Sequence, residues 1–271
     1  MARTLSAGLA PVVEELELER PELVTTASLS EIVARHGVRT PVRVVASRLR
    51  ERGWLLATGE RGVWEFAPAA HAGPIGRGQA TLPLQAAVRR RPDLECGLTF
   101  QSAARARGLA DRAPNRLEIA AFDPAAARVL KTAGRVSTFR PRLAPVSLRG
   151  VPVLALESVL VQLAAHPDDV KSWSSTVEWL PDVAAEADWT DMKAELADRP
   201  IRVTIRLGYL LDGVRPDLAA HLAARAAESR RARTVRFGSR EAPPRRHSRR
   251  WRVTDTLLPF DPADLRADSP R

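Results

Sequence analysis

Arginine is the side chain best suited to reading nucleic acid, because its planar guanidinium can hold a guanine edge bidentately or grip a phosphate. The stretch TPVRVVASRLRERGWL, Thr40 to Leu55, carries Arg43, Arg48, Arg50 and Arg52, with Arg39 just before it. At about 100° per residue, Val42, Val45, Ala46 and Leu49 fall in one arc and make a core stripe. Opposite them lie Arg43, Val44, Ser47 and Glu51, with Arg50 at one edge and Arg48 and Arg52 on the other side. Arginine and serine on that face can bond base edges and phosphates, and Val44 can touch a thymine methyl. A solvated helix face is the plain alternative, but it has no need of a single sign of charge.

Residues that could do catalysis are fewer. Pro181-Asp182 followed by Asp191-Met192-Lys193 has the residue types of the PD…(D/E)xK nucleases, where two carboxylates hold a magnesium ion and a lysine orients water. The intervening VAAEADWT reads as helix or loop, whereas that chemistry needs adjacent strands. His166-Pro167-Asp168-Asp169 could ligate a metal, but it falls between helical patterns, where aspartates commonly cap the next helix. No GxxxxGK[ST] phosphate loop is present. The single cysteine, Cys96, excludes an internal disulfide and a multi-cysteine zinc cluster, and the five histidines include no pair at ligand spacing. The expectation is a protein without metal or cofactor, and not an enzyme.

The elements that must position the arginines can be read from the same stretch outward. Residues 5–19 are helical in pattern; Thr25-Thr26-Ala27-Ser28 then leads into a second helix, with Ser28 or Ser30 as N-cap and Gly37 closing it. Thr40 is the expected N-cap of the arginine helix, Pro41 its first residue and Gly53 its stop. WLLAT and GVWEFAP follow as a β-hairpin around Gly59-Glu60-Arg61-Gly62, which puts Arg61 at its tip. This is the order of a winged helix-turn-helix, and the predicted DNA contacts are Arg39, Thr40, Arg43, Val44, Ser47, Arg48, Arg50 and Arg61. HAGPIGRGQ then marks a boundary, giving domains at 1–72 and 80–271 with a linker over 73–79. Beyond it helices and strands mix without a regular βαβ repeat, so the class is α+β, a winged helix followed by a larger mixed domain.

Charge agrees with this division. The 271 residues carry a net charge of +10, which favours a polyanionic partner. Residues 1–70 are neutral, with nine Arg against nine Glu, yet five of those Glu lie within 14–22 and seven Arg within 35–61. A second basic run, Arg225 to Arg252, holds eleven Arg against Glu228 and Glu241. It reads either as a solvated loop or as a secondary contact with DNA or an acidic partner through Arg245, Arg246, Arg249 and Arg250. Trp173, Trp179 and Trp189 lie in apolar helical patterns and are expected in the core. The opening MARTLSAGLAPVVEELELER turns acidic too soon for a signal peptide, and no run is long and apolar enough to span a bilayer, so a cytoplasmic protein that does not enter membranes is expected.

Three phrases sharpen the reading: LTFQSAARARGLADRAPNRLEIA (98–120), RGVPVLALESVLVQLAAHPDDV (149–170) and RLGYLLDG (206–213). In this order, after a winged-helix start, they resemble the AbiEi-type antitoxins of type IV toxin–antitoxin systems over nearly the whole chain. That family has a phrase S-A-L-x-x-H-G-L before a proline-containing loop. Here it reads Ser102-Ala103-Ala104-Arg105-Ala106-Arg107-Gly108-Leu109, then Pro114, so Arg107 replaces the histidine and no role needing an imidazole carries over. The resemblance implies a transcriptional autorepressor that binds double-stranded operator DNA, as a homodimer if it spans two half-sites. It also implies a nucleotidyltransferase-like toxin whose effect the protein counters, with or without direct contact. Two rivals stay open: a module that neutralises a toxin by binding it, with DNA secondary, and a metal-dependent nuclease built on residues 182, 191 and 193.

Overall fold

The computed structural model describes residues 8–70, 79–228 and 234–266. The chain divides into two compact units, Met1–Leu94 with Val129–Gly134, and Glu95–Arg128 with Arg135–Arg271. The glycine-rich stretch expected as a linker lies outside the described residues except for Gln79. No helix among the described residues is long and apolar enough to cross a membrane.

The first unit begins with α1 (Ala10–Glu19), a three-residue strand β1 (Leu23–Thr25), α2 (Thr26–Arg35) and α3 (Val42–Glu51). The hairpin strands β2 (Leu55–Ala57) and β3 (Val63–Phe66) and the helix α4 (Leu82–Arg90) complete it. These elements are consistent with a winged-helix-like fold. The N-cap of α2 is Thr25, not Ser28 or Ser30: the Ser28 amide donates to Thr25 Oγ1 at 3.0 Å and the Thr25 amide to Ser28 Oγ at 2.9 Å, a reciprocal capping box. The cap moves because β1 delivers Thr25 in extended conformation, as an N-cap requires. At α3 the start is also displaced, with Pro41 rather than Thr40 in the N-cap position. The Pro41 carbonyl accepts the first helical bond, from Val45 N at 3.1 Å.

Both helix ends fall where the glycines predict. At Gly37 (φ +61°) the amide donates to Ala34 O and the Val38 amide to Val33 O; at Gly53 (φ +72°) the Gly53 and Trp54 amides repeat this with Arg50 O and Leu49 O. The sheet has the order β1-β3-β2, all antiparallel, with Leu55 opposite Phe66 and Leu23 opposite Glu65. One core joins the three helices to it, including Leu16, Leu29, Ile32, Val45, Leu49 and Phe66, with Trp54 stacked on Phe66. The hairpin loop is pinned to α2, since Gly62 O accepts the Thr26 amide at 2.9 Å. Gly62 sits at φ +78° and a Cβ there would lie 2.7 Å from Thr26 Oγ1, so a larger residue would be strained and would have to displace that hydroxyl. Helix α4 packs against β3.

The second unit holds β4 (Cys96–Leu98), α5 (Phe100–Ala106), β5 (Glu118–Ala121), β6 (Arg135–Thr138), β7 (Val146–Leu148) and β8 (Val151–Val153), with α6 (Pro124–Leu130) between β5 and β6. The five strands form one sheet, β6-β5-β4-β8-β7, with parallel and antiparallel pairs mixed. Helices α7 (Leu156–Ala165), α8 (Trp173–Glu186), α9 (Trp189–Glu195), α10 (Ile201–Leu211) and α11 (Pro216–Ala227) follow. Then β9 (Val235–Phe237), β10 (Arg246–Ser248) and β11 (Val253–Asp255) make a small sheet in the order β10-β11-β9. Helix α7 is buried from Leu156 to Ala164 and packs against α10. Its polar members are satisfied: Thr99 Oγ1 donates to Gln162 Oε1 at 2.6 Å and Ser158 Oγ to Glu195 Oε2 at 2.8 Å. Trp173 and Trp179 are core residues, while Trp189 is half-buried and stacks on His221.

Candidate nucleic-acid interface

Helix α3 buries Val45, Ala46 and Leu49 and leaves Arg43, Val44, Ser47, Arg48, Arg50 and Glu51 exposed. Val44 is 40% exposed, one of few large apolar side chains left to solvent among the described residues. The outward residues form two stripes at helical spacing, Arg43-Ser47-Arg50 and Val44-Arg48-Glu51. Ser47 donates to Glu51 Oε1 at 3.0 Å, a local bond that water or a base edge can replace. Arg39 is exposed and Thr40 half-buried in the turn before the helix.

The first stripe faces an open groove of about 1480 Å³ between α2, α3 and the hairpin, lined by Arg43, Ser47 and Arg50 on one wall and by Arg61 in the hairpin loop. Arg39, Thr40, Val44 and Arg48 do not line it. Two arginines that the sequence reading did not single out do: Arg89 and Arg90, exposed at the end of α4. Their neighbour Arg91 turns away, donating to Glu60 Oε2 of the hairpin loop at 2.9 Å. The signal for them was the run RRR at 89–91, which reads by itself as the ordinary basic end of a helix. Among the described residues, none of Arg39, Arg43, Arg48, Arg50, Arg61, Arg89 and Arg90 has a carboxylate partner.

Of the acidic segment, Glu19 lines the same groove, 3.8 Å from Arg35. Glu15 holds Arg35 and His36, the latter at 2.6 Å, and joins α1 to the end of α2. The second basic run is different in kind. Arg246 pairs with the fully buried Asp255 at 3.0 Å, and the exposed Arg250 with Asp212 at 2.5 Å; Arg245 and Arg249 are exposed and have no carboxylate partner among the described residues.

The catalytic candidates take helical places. Pro181 and Asp182 lie inside α8, and Asp191 and Lys193 on α9, so the four residues are not on the adjacent strands a nuclease centre needs. Asp188 caps α9, accepting the Asp191 amide at 3.2 Å and the Thr190 amide at 2.7 Å, and these bonds hold its carboxyl below the usual range. Residues Pro167–Asp169 form a 3₁₀ turn after α7. They do not cap α8, however; Ser172 does, accepting from the Ser175 amide at 3.2 Å, because it is the residue immediately before the first helical turn. Arg107, in the place of the family histidine, donates to Leu154 O at 2.9 Å and ties α5 to the end of β8. The described residues contain no group of three or more His, Cys, Asp or Glu placed to hold a metal ion.

Residues 95–213 match the model of the AbiEi antitoxin C-terminal domain. The matched span leaves out α3, the hairpin and the arginine-rich segment before β11. Among solved structures, the chain is similar to the RV2827C protein from Mycobacterium tuberculosis, at 25% identity and a TM-score of 0.78, over 95% of this chain and 94% of that one. No curated protein matches. The antitoxin likeness thus resides in the second unit, and the exposed arginine helix in the first.

Proposed function

We propose that the protein is an antitoxin-type regulator: a winged helix-turn-helix in its first unit binds operator DNA and represses its own toxin–antitoxin operon, and its second unit counters a nucleotidyltransferase-like toxin. The observation that carries the DNA reading is the outward face of α3, where exposed arginines without a carboxylate partner among the described residues stand beside an apolar contact and a hydroxyl. Arg43 and Ser47 would meet base edges, Val44 a thymine methyl, and Arg39, Thr40, Arg48, Arg50 and Arg61 the backbone. Two copies on neighbouring half-sites would give the operator two-fold symmetry. The match over residues 95–213, outside the arginine helix, supports the antitoxin role.

The test is a gel-shift titration of the full chain on a duplex taken from upstream of its own gene, against a shuffled duplex of the same composition. Arg43→Ala or Ser47→Ala should cost about 1–3 kcal/mol on the natural duplex for each base contact removed and little on the shuffled one. Equal losses on both would reduce these residues to backbone contacts, and a wild type without preference would remove the repressor reading. Co-expression with the product of the adjacent gene tests the antitoxin role separately.

A further inference from the structure

The groove beside α3 has a third basic element that the winged-helix reading does not use. We infer that the last turn of α4 belongs to the DNA interface, with Arg89 and Arg90 contacting the phosphate strand seated between α3 and the β2–β3 hairpin. This rests on the DNA reading above and adds α4 to its contact set.

The duplex sets the demands on such a surface. A helix in the major groove and a hairpin in the adjoining minor groove, about 12 and 6 Å wide, must straddle the sugar-phosphate strand that divides them. That strand carries one charge per nucleotide, so the surface it crosses should be concave and positive. The groove here meets both demands: it lies between α3 and the hairpin and is lined by Arg43, Arg50, Arg61, Arg89 and Arg90.

The carboxylates lining it are mostly engaged elsewhere. Glu60 pairs with Arg91 at 2.9 Å and Glu19 lies 3.8 Å from Arg35, which leaves Glu31 against the five arginines. The dipole at a helix C-terminus would by itself favour a basic residue at each of positions 89–91. It does not explain their division of labour. Arg91 is half-buried and neutralises Glu60, next to Arg61, whereas Arg89 and Arg90 stay exposed and line the groove. A protein ligand with an acidic segment could meet the same charge, but the groove is continuous with the base-reading face of α3, and DNA is the occupant that uses both.

The experiment uses the full chain with Arg89→Ala/Arg90→Ala, on the upstream duplex and the shuffled one, over a series of salt concentrations. The slope of log K against log salt should fall by about 0.9 for each phosphate that is no longer gripped. The double variant should therefore lose on the order of tenfold less affinity between low and physiological salt than the wild type does, with base preference unchanged. Arg89→Lys/Arg90→Lys should keep the slope, since a point charge serves a phosphate. An unchanged slope in the alanine variant, while Arg43→Ala still relaxes preference, would remove α4 from the interface and leave the winged-helix reading intact. A wild type whose binding does not depend on salt would overturn the DNA reading itself, and tight binding of an acidic peptide in place of either duplex would reassign the groove.

Discussion

Neutralising Arg246 should destabilise the second unit rather than report on a DNA contact. Asp255 is fully buried, and its Oδ2 accepts from Arg246 Nη1 at 3.0 Å and from the Tyr209 hydroxyl at 3.1 Å. Its Oδ1 accepts the Leu257 and Leu258 amides at 2.8 and 2.9 Å. Burial, and then the Asp255 carboxylate, push the Tyr209 hydroxyl well above its ordinary value, so it stays a donor across the neutral range. The same guanidinium also donates to Leu258 O and Phe260 O, closing the turn after β11. Removing one partner of a buried pair costs about 3–5 kcal/mol, because the other charge is left without compensation. Arg246 is 27% exposed and three donors remain on Asp255, which places Arg246→Ala near the lower end, about 3 kcal/mol. In a unit of this size that corresponds to a melting shift of roughly 6–12 °C. Arg245→Ala and Arg249→Ala, both exposed, should stay within about 0.5 kcal/mol of the wild type. Thermal and urea unfolding of the three variants decides the matter. If Arg246→Ala melts with Arg245→Ala, the buried pair does not hold this sheet and the reasoning fails. If it holds, a polyanion contact in the segment is better sought at exposed arginines such as Arg245 and Arg249 than at Arg246.

Gly208→Ala sets two effects of opposite sign against each other in α10. Helix propensity alone would stabilise by about 1 kcal/mol, but a Cβ at Gly208 would lie 2.1 Å from the Trp251 ring, and overpacking of that kind costs about 1–3 kcal/mol or more. Unfolding should therefore show a net loss, and a gain would mean that Trp251 is not seated there. At the groove, Arg91→Ala should expose the Glu60 carboxylate beside the phosphate seat and weaken DNA binding, and adding Glu60→Gln should restore it. A double variant no tighter than Arg91→Ala would show that the pair does not set the charge of the groove.

Much of the first unit was legible because its signals are local. The apolar period of Val42, Val45, Ala46 and Leu49 follows from 3.6 residues per turn, and burial obeys it. Gly37 and Gly53 end their helices because each takes a positive φ that other residues resist, and the Gly59–Gly62 loop closes its hairpin on the same ground. What stayed hidden depends on partners far along the chain. Strand β1 is three residues long and exists because β3, some forty residues on, offers it an edge; only that pairing puts Thr25 in position to cap α2. Strand β4, residues 96–98, is too short for a period to announce it, yet it is the middle strand of the larger sheet, between β5 and β8. The arginines show the same limit most clearly. From composition, Arg246 and Arg249, or Arg90 and Arg91, are alike. Which of them is committed to a carboxylate is decided by where Asp255 and Glu60 stand after folding, because a charge is neutralised by what lies within a few ångströms of it and not by its neighbours in sequence.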